Sequence, residues 1–323
     1  MVEPDLDTHA IGEPVDILAI GEPLMEFAAI ERDGQPLYLP GHGGDTSNAA
    51  IAAARQGATV AYFTHLGDDP FGREFLALWA REGVGHEAVR LRPDAQTGIY
   101  FITYGPDGHE FSYVRKGSAA SRVVPADLPD GLVERARVLH VSGISQAISD
   151  GAADTVFAAI DRAKAAGRTV CYDTNLRLAL WPLDRARAVI HAAVARSDIA
   201  RPGFDDAKKL TGHDDPDAIV DFYLGLGPQL VAMTLGKEGV LVATPDERRV
   251  IPTRRVEAVD ASGAGDTFGG AFLAEWVLHG DPFRAAEYGN AAAALQTLGR
   301  GAVAPMPRRE TVEAFLRTGQ VPA

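Results

Sequence analysis

The residue types best suited to chemistry occur in one short segment, residues 259–272 of the 323-residue chain, which reads Val-Asp-Ala-Ser-Gly-Ala-Gly-Asp-Thr-Phe-Gly-Gly-Ala-Phe. The small residues Gly263, Ala264 and Gly265 precede an apolar helical pattern, and the first turn of a helix leaves unpaired backbone amides that can bind an anion. Asp266 lies in that turn, where a carboxylate can accept the proton of a hydroxyl that attacks a phosphate. The segment predicts phosphoryl transfer; the alternative is that its polar side chains only cap the helix.

Two arginines occur at the ends of predicted strands. Arg177 follows a strand that ends near Tyr172, and Arg115 follows a stretch that contains Tyr113. A guanidinium group binds a carboxylate through two parallel hydrogen bonds, so two arginines would favour an acidic substrate over a neutral one if both faced the same cleft. The alternative is that each arginine forms an ordinary surface ion pair.

The elements that would position these residues follow a repeating pattern. Short β-branched or aliphatic runs predict buried strands at residues 16–20, 59–64, 138–141, 169–172, 199–201 and 229–234. Alanine-rich segments with helical spacing predict helices at residues 48–56, 71–82, 152–166, 183–195 and 215–226. Strand followed by helix, repeated, predicts an α/β fold with a mostly parallel sheet covered by helices on both faces.

Two stretches depart from this alternation, residues 27–39 and 97–115, the second of which contains the turn Pro106-Asp107-Gly108. They predict hairpin strands of a small β-sheet that stands off the main sheet and serves as a lid. Its exposed edges favour pairing with a second copy of the chain, so we expect a homodimer or higher homo-oligomer formed through the lid. The predicted organisation is a flexible tail at residues 1–14 and one domain at residues 15–320.

The bulk composition excludes several classes of protein. The 31 Lys and Arg residues against 44 Asp and Glu give a formal charge of -13, which disfavours nucleic acid and anionic membranes as partners. The sequence has neither a signal-peptide pattern nor an apolar run of membrane-spanning length. A single cysteine, Cys171, cannot form an internal disulfide, which is typical of the reducing cytoplasm. We therefore expect a cytoplasmic protein.

Residues 259–272 resemble the C-terminal signature of the ribokinase family, also called the PfkB carbohydrate kinases, whose usual form is Asp-Thr-x-Gly-Ala-Gly-Asp followed by Ser or Thr and Phe. Four further motifs occur in the order of the family: Gly21-Glu22-Pro23-Leu24, Gly43-Gly44-Asp45-Thr46-Ser47-Asn48, Gly67-Asp68-Asp69-Pro70-Phe71-Gly72 and Thr234-Leu235-Gly236-Lys237-Glu238-Gly239. Five motifs in order are far more specific than one glycine pattern. The resemblance covers nearly the whole chain from Ile17 and implies a ribokinase-like fold and ATP-dependent phosphorylation of a sugar.

The resemblance also implies roles for individual residues. Asp266 would be the catalytic base, and the amides of Gly263, Ala264, Gly265 and Asp266 would form the anion hole for the γ-phosphoryl group. The cofactor ATP would be bound by Asn175, Thr234, Gly236, Lys237, Gly239 and Asn290. Magnesium would accompany ATP, with Asp206 at its water shell, and Asp260 would bind an activating monovalent cation such as potassium. Many relatives carry an Asn-x-x-Glu pattern after the central strand; here Asp206 takes the place of the Glu, and Gly203 stands where the Asn is usual.

Three further segments, residues 113–119, 140–144 and 173–181, resemble the branch of the family that phosphorylates 2-keto-3-deoxygluconate. This likeness implies that the substrate-binding residues are Gly44, Asp45, Asn48, Tyr100, Tyr113, Arg115, Ile144 and Arg177. The two tyrosines have the alternative of packing within the lid or at a subunit contact. The expected reaction transfers a phosphoryl group from ATP to the 6-hydroxyl of this keto acid. The rival hypotheses are a fructokinase or another hexose kinase, and a non-catalytic sugar or nucleotide sensor.

Overall fold

The computed structural model of the chain describes residues 13–105 and 108–321. Most of the predicted tail at residues 1–14 and two residues of the predicted lid turn, Pro106 and Asp107, lie outside the described residues. The described strands are β1 (Val15–Ile20), β2 (Leu24–Arg32), β3 (Gln35–Gly43), β4 (Val60–Phe63), β5 (His65–Gly67), β6 (Val84–Gly85), β7 (Arg90–Arg92), β8 (Gly98–Gly105), β9 (Gly108–Val114), β10 (Ala136–Ser142), β11 (Thr169–Asp173), β12 (Ile199–Arg201), β13 (Leu230–Thr234), β14 (Val240–Ala243) and β15 (Arg248–Ile251). The described helices are α1 (Asp45–Arg55), α2 (Pro70–Glu82), α3 (Gly143–Ala147), α4 (Asp150–Ala165), α5 (Leu183–Val194), α6 (Phe204–Thr211), α7 (Pro216–Leu226), α8 (Ala264–His279), α9 (Pro282–Gln296) and α10 (Arg309–Thr318).

A nine-stranded sheet forms the centre of the molecule, in the order β15-β14-β13-β12-β11-β10-β1-β4-β6. Its strands pair in parallel from β6 to β13, whereas β14 and β15 are antiparallel. Each of the six predicted strands lies in the parallel part, because only strands buried on both faces carry the continuous apolar runs that the sequence shows. The predicted α/β fold with a mostly parallel sheet is confirmed.

Helices cover both faces of this sheet. Consecutive residues of β1 enter different hydrophobic clusters: Leu18 packs with side chains from α4 to α7, and Ile17 packs with side chains from α1, α2, α8 and α9. This division follows from the strand geometry, since neighbouring side chains point to opposite faces. Cys171 lies on β11 and is buried, as its apolar setting predicts. In the described part of the chain, no helix is both long enough and apolar enough to cross a bilayer.

The two stretches that depart from the strand–helix alternation form a separate four-stranded sheet, in the order β3-β2-β8-β9. Two antiparallel hairpins, β2–β3 and β8–β9, are joined by parallel pairing of β2 with β8. The small sheet predicted from residues 27–39 and 97–115 is therefore confirmed, and we call it the lid sheet. A further two-stranded sheet pairs β5 with β7.

Close packing of α1 against α8 brings two helix N-termini together. A side chain at Gly270 would place its Cβ 2.2 Å from the backbone oxygen of Ala49 and 2.7 Å from the Cβ of Ala52, so only glycine permits this approach. As a result Asn48, in the first turn of α1, reaches Asp266, in the first turn of α8. The hydrogen bond between Asn48 and Asp266 therefore depends on the close approach of the two helices at Gly270.

Candidate active site

A cavity of about 930 Å³ lies between the lid sheet and the carboxyl ends of the main-sheet strands. The strand ends contribute Asp173 from β11, Arg201 from β12 and Thr234 from β13. The lid sheet contributes Leu24, Glu26, Tyr100, Ile102, Phe111 and Tyr113. Ligands of open α/β sheets bind at this edge, because the strand ends and the helix N-termini that follow them converge there.

The turn that opens α8 forms one wall of the cavity. Gly263 adopts a φ of 77°, and a side chain there would meet the backbone of Ala302 at 2.9 Å. The amide of Ala264 donates to the carbonyl of Ala261 at 3.1 Å, so this predicted member of the anion hole is already hydrogen-bonded. The amides of Gly263, Gly265 and Asp266 have no acceptor among the described residues. These amides are the donors that a bound anion can use.

Asp266 lies at the same turn and lines the cavity. Its Oδ2 accepts a hydrogen bond from Nδ2 of Asn48 at 2.8 Å. The pKa of the Asp266 carboxyl is raised to about 7, first because it is buried and then because the carboxylates of Asp45 and Asp173 lie nearby. The Asn48 hydrogen bond and the charge of Arg177 oppose this rise. A carboxylate with a pKa near neutrality is suited to accept a proton.

Three acids, Asp45, Asp173 and Asp266, form what we call the carboxylate cluster. Nδ2 of Asn175 donates to Oδ2 of Asp45 at 2.9 Å, and the amide of Asn175 donates to Oδ1 of Asp173 at 3.1 Å. Asn175 has a φ of 23°, a conformation that asparagine tolerates better than most residues. The pKa of Asp173 is raised to about 6 by burial, with Arg201 acting against the rise and Asp45 adding to it. Asn175 therefore joins two acids of the cluster.

Arg201 is a residue of this site that the sequence patterns did not single out. Its guanidinium group is almost fully buried, and Nη2 lies 3.0 Å from the carbonyl oxygen of Gly265 and 3.4 Å from Oδ2 of Asp173. Its Nε and Nη1 have no hydrogen-bond partner within residues 13–105 and 108–321. A side chain at Gly269 would meet Nη1 at 2.0 Å, so this glycine makes room for the arginine. Arg201 joins the end of β12 to the first turn of α8.

The two arginines predicted to bind substrate both line the cavity, but their surroundings differ. Nη2 of Arg115 forms a short ion pair with the carboxylate of Glu22, which is buried. Arg177 is half exposed, donates to its neighbour's carbonyl, and has Oδ2 of Asp206 at 3.9 Å as its nearest described carboxylate. The charge of Arg115 is thus offset by a buried carboxylate, whereas Arg177 is half exposed and has only a longer ion pair with Asp206.

The two predicted lid tyrosines also reach the cavity, with ring centroids 5.7 Å apart. Tyr100 is buried and donates a short hydrogen bond to the Glu26 carboxylate, while Tyr113 is 45% exposed. The Arg115 guanidinium lies 5.6 Å from the Tyr113 ring centroid. Tyr100 is therefore fixed in place by a partner on β2, and Tyr113 presents an open face. Gly44 and Ile144, the remaining predicted substrate residues, line the cavity as well.

Of the residues predicted to bind the nucleotide, Asn175 and Thr234 line the cavity, whereas Gly236, Lys237, Gly239 and Asn290 do not. Gly236 and Lys237 lie in the exposed turn that follows Thr234, where Gly236 has a φ of 59°. Gly239 ends this turn with a φ of 109° and packs against β15. Asn290 lies on α9, and its Nδ2 donates to the carbonyl of Ile251 at 2.9 Å. Its amide nitrogen therefore has a partner within the chain.

The two acids predicted to act at metal sites are placed differently. Asp206 lines the cavity; its Oδ2 accepts from the amide of Leu176 at 3.1 Å, and its pKa is raised by burial. Asp260 lies in the turn before α8 and accepts from the amides of Ser262 at 2.9 Å and Gly301 at 3.0 Å. No group of three or more acids, histidines or cysteines that could hold a metal occurs within the described chain.

Comparison with known proteins gives consistent results. A sequence model described as "pfkB family carbohydrate kinase" matches residues 16–309. The chain is 35% identical over 313 residues to a 2-dehydro-3-deoxygluconokinase of Thermoproteus tenax, with 94% of each chain covered. It is 32% identical over 306 residues to fructokinase-1 of Oryza sativa subsp. japonica, with 90% of this chain and 94% of the relative covered. A solved structure of fructokinase from Vibrio cholerae O395, bound to fructose, ADP and calcium ion, superposes with a TM-score of 0.84 at 28% identity over 94% of this chain and 99% of that one.

Proposed function

Because the chain belongs to the pfkB family of carbohydrate kinases, which makes it a phosphotransferase with a sugar acceptor, we propose that it transfers the γ-phosphoryl group of ATP to the 6-hydroxyl of 2-dehydro-3-deoxy-D-gluconate. The family membership confirms the resemblance drawn from the sequence motifs and the ribokinase-like fold that it implies. The single observation that carries the proposal is the meeting of Asp266, two unpaired amides of α8 and the half-exposed Arg177 around one cavity.

The proposed reaction assigns one task to each part of the α8 turn. Asp266 accepts the proton of the sugar hydroxyl as its oxygen attacks the γ-phosphorus and the bond to the β,γ-bridging oxygen breaks. The amides of Gly265 and Asp266 donate hydrogen bonds to the phosphoryl oxygens and stabilise their negative charge during the transfer. Preorganised donors of this kind commonly lower the barrier by about 3 kcal/mol each. Asn48 holds the Asp266 carboxylate in place.

The same residues fit a magnesium ion carried by the nucleotide. Magnesium in kinase sites is held mainly by phosphate oxygens and water, with one or two carboxylates from the protein, so a dedicated cluster of acids is not required. Asp206 fits this requirement, because it lines the cavity and only one of its oxygens has a described hydrogen-bond donor. When bound, the ion offsets the phosphate charge that resists attack by an oxygen nucleophile. The monovalent cation at Asp260 stays a prediction.

The preference for a sugar acid rests on the charge of Arg177. The cavity is lined by several acidic side chains, so an anionic substrate needs a cation that can still bind it. Arg115 is paired with the buried Glu22, whereas Arg177 is half exposed and has only a 3.9 Å contact with Asp206. We therefore assign the substrate carboxylate to Arg177 and a directed hydrogen bond to Arg115. In the same proposal Gly44, Asp45, Asn48, Tyr100, Tyr113 and Ile144 surround the rest of the sugar.

A fructokinase is the second candidate, and the similarity to rice fructokinase-1 and to the fructose-bound Vibrio structure favours it. A neutral hexose would have no group to pair with Arg177. A sugar-acid kinase therefore requires the charge of Arg177 for substrate binding, whereas a fructokinase does not.

We further propose a cytoplasmic homo-oligomer that associates through the lid sheet. The lid exposes 42% of Leu37, 50% of Tyr38 and 57% of Leu39, a continuous apolar run on strand β3. Edge strands with exposed apolar side chains favour pairing between subunits. The single buried cysteine and the requirement for ATP are in keeping with the cytoplasm.

The test is a panel of 2-keto-3-deoxy sugar acids and hexoses assayed with magnesium ATP, using the wild-type chain and two variants. Arg177→Ala should lower kcat/KM for the sugar acid by about 10- to 100-fold, the usual effect of losing a charge-assisted hydrogen bond, and should change kcat/KM for fructose less than twofold. Arg196→Ala removes a similarly exposed arginine, paired with Asp161, and should change neither. A higher kcat/KM for fructose that survives Arg177→Ala would favour the fructokinase. If no sugar on the panel stimulated the consumption of ATP, both candidate functions would be contradicted.

A further inference from the structure

Glu22 is a buried acid of the cavity to which the proposed chemistry assigns no task. It lies between β1 of the main sheet and β2 of the lid sheet and is 1% exposed. Its carboxylate accepts a short hydrogen bond from Nη2 of Arg115 and one of 2.5 Å from Oγ of Ser118. Burial raises the pKa of Glu22, and the charge of Arg115 acts most strongly against that rise. Such a group is costly to bury unless its partners hold it.

The chain passes between the lid sheet and the rest of the molecule at four connections: β1 to β2, β3 to α1, β7 to β8, and the segment that follows β9. We call these connections the four crossings, and each of them contacts or closely approaches Glu22. Glu22 itself belongs to the first crossing, and Arg115 and Ser118 belong to the last. At the second crossing, Gly44 has a φ of 102°, and a side chain there would meet the backbone oxygen of Glu22 at 2.4 Å. At the third, a side chain at Gly98 would meet Oε1 of Glu22 at 3.0 Å.

Arg115 connects this junction to the sugar site. Its side chain is 10% exposed and lines the cavity, with its guanidinium 5.6 Å from the centre of the Tyr113 ring. Glu22 lies 93 residues away in sequence, yet it binds the same guanidinium from the main-domain side. A bidentate or single charge-assisted hydrogen bond fixes the plane of a guanidinium group and so fixes the direction of its remaining N–H bonds.

We propose that Glu22 is a positioning residue that orients Arg115 toward the sugar and holds together the four connections of the lid sheet. The first half of this proposal rests on the proposed function, because it takes Arg115 to contact the sugar; the second half does not. Loss of the Glu22 carboxylate should leave the nucleotide side of the cavity unchanged, since Thr234 and α8 lie on other elements. It should weaken sugar binding and loosen the four crossings.

The kinetic test is a double-mutant cycle with the sugar that the wild-type chain phosphorylates best. Glu22→Gln should raise the KM for that sugar about tenfold and leave the KM for ATP within about twofold. If Glu22 acts through Arg115, Glu22→Gln should have no further effect in an Arg115→Met background. Losses that add in the double variant would overturn the orienting role. Glu275→Gln is the matched control, because Glu275 is a buried, arginine-paired acid that does not line the cavity.

The structural test needs no sugar and therefore separates the two proposals. Backbone hydrogen exchange of the full-length protein should become faster in Glu22→Gln at the four crossings, residues 21–24, 43–46, 96–99 and 114–118, and should stay unchanged there in Glu275→Gln. Wild-type exchange at all four crossings in Glu22→Gln would overturn the role in the lid. If Glu22→Gln does not fold, Ser118→Ala, which removes the second donor, should show the same changes in smaller degree, and its failure to do so would count against the proposal. A wild-type chain that phosphorylates no sugar defeats the proposed function while leaving this exchange test intact.

Discussion

Two buried acids of this molecule, Glu275 and Asp266, lie on the same helix but have opposite electrostatic surroundings. The side chain of Glu275 is 2% exposed and is surrounded by basic side chains: Nε of Arg284 at 2.7 Å, Nη2 of Arg309 at 3.2 Å and Nε2 of His279 at 3.3 Å. Asp266 has one neutral donor, Asn48, and two acids as neighbours. The first acid is fully compensated and links α8 to α9 and α10. The second is left under-compensated at the edge of a cavity.

The difference shows what distinguishes a structural acid from a reactive one. A carboxylate whose partners are all cations holds its neighbours in place and has little tendency to take up a proton. A carboxylate that is buried among other acids has a raised pKa and can take up a proton from a substrate near neutral pH. The contrast between the α8 termini therefore predicts opposite consequences for matched substitutions.

The largest expected effect is on turnover. Asp266→Asn keeps the shape of the side chain and removes the base, so kcat should fall by about 10²- to 10⁴-fold, while ATP binding measured by calorimetry stays near that of the wild type. Glu275→Gln makes the same chemical change at the other end of α8 and should leave kcat within about twofold. It should instead lower the free energy of unfolding by roughly 2 to 3 kcal/mol, because Arg284 and Arg309 lose their charged partner. Near-normal turnover in Asp266→Asn would remove Asp266 from the base role.

The next effect concerns the cation beside the carboxylate cluster. Arg201→Met should lower kcat by about 30-fold, because Asp173 and the carbonyl of Gly265 lose a charged donor and the first turn of α8 shifts. Arg201→Lys should recover part of the loss. Arg55 is the matched control: it is also largely buried, pairs with Glu82 and does not line the cavity. If Arg55→Met lowered kcat as much as Arg201→Met, the effect would reflect general loosening and not the site.

The smallest expected effect is on stability. Because the pKa of folded Asp266 lies above the value of an unfolded aspartate, protonation favours the folded state, and this contribution is lost as pH rises through about 7. At pH 8 the ionised carboxylate is therefore destabilising, and Asp266→Asn should raise the free energy of unfolding by about 1 to 2 kcal/mol after allowance for solvent in the cavity. At pH 4, where the wild-type group is protonated when folded, the gain should disappear. Urea unfolding at both pH values measures this difference, and an equal gain at both would show that the charge is not its cause.

The sequence predicts the parts of this account that depend on local pattern. The apolar runs locate the parallel strands, and the small-residue turn before Asp266 locates the start of α8 within one or two residues. The antiparallel strands β14 and β15 were not predicted. β15 is largely exposed and rich in arginine, so it lacks an apolar run, whereas β14 is buried but only four residues long. Local pattern therefore identifies the longer buried strands and helix starts better than short strands and sheet edges.

Site residues that depend on long-range contacts are harder to predict. Arg201 ends an apolar strand and resembles any strand-end arginine; its relation to α8 comes from a contact with Gly265, 64 residues away. The only local signal is the Gly-Gly pair at residues 269–270, which permits close packing but does not name the partner. Glu22 lies in one of the sequence motifs, but its partner Arg115 is 93 residues away. Only the folded structure shows that the lid sheet places the two residues in contact.

The most direct test of the central claim is the pH dependence of kcat/KM for the sugar, measured with saturating magnesium ATP in the wild-type chain and in Asp266→Asn. Asp266 and Asp173 are buried acids that influence each other's pKa, so the variant is needed to assign the observed loss of activity to Asp266. We predict that wild-type kcat/KM falls about tenfold per pH unit below pH 7 and that the residual activity of Asp266→Asn lacks this limb. A wild-type profile that is flat from pH 5 to 8, or the same limb in the variant, would contradict the assignment of Asp266 as the base.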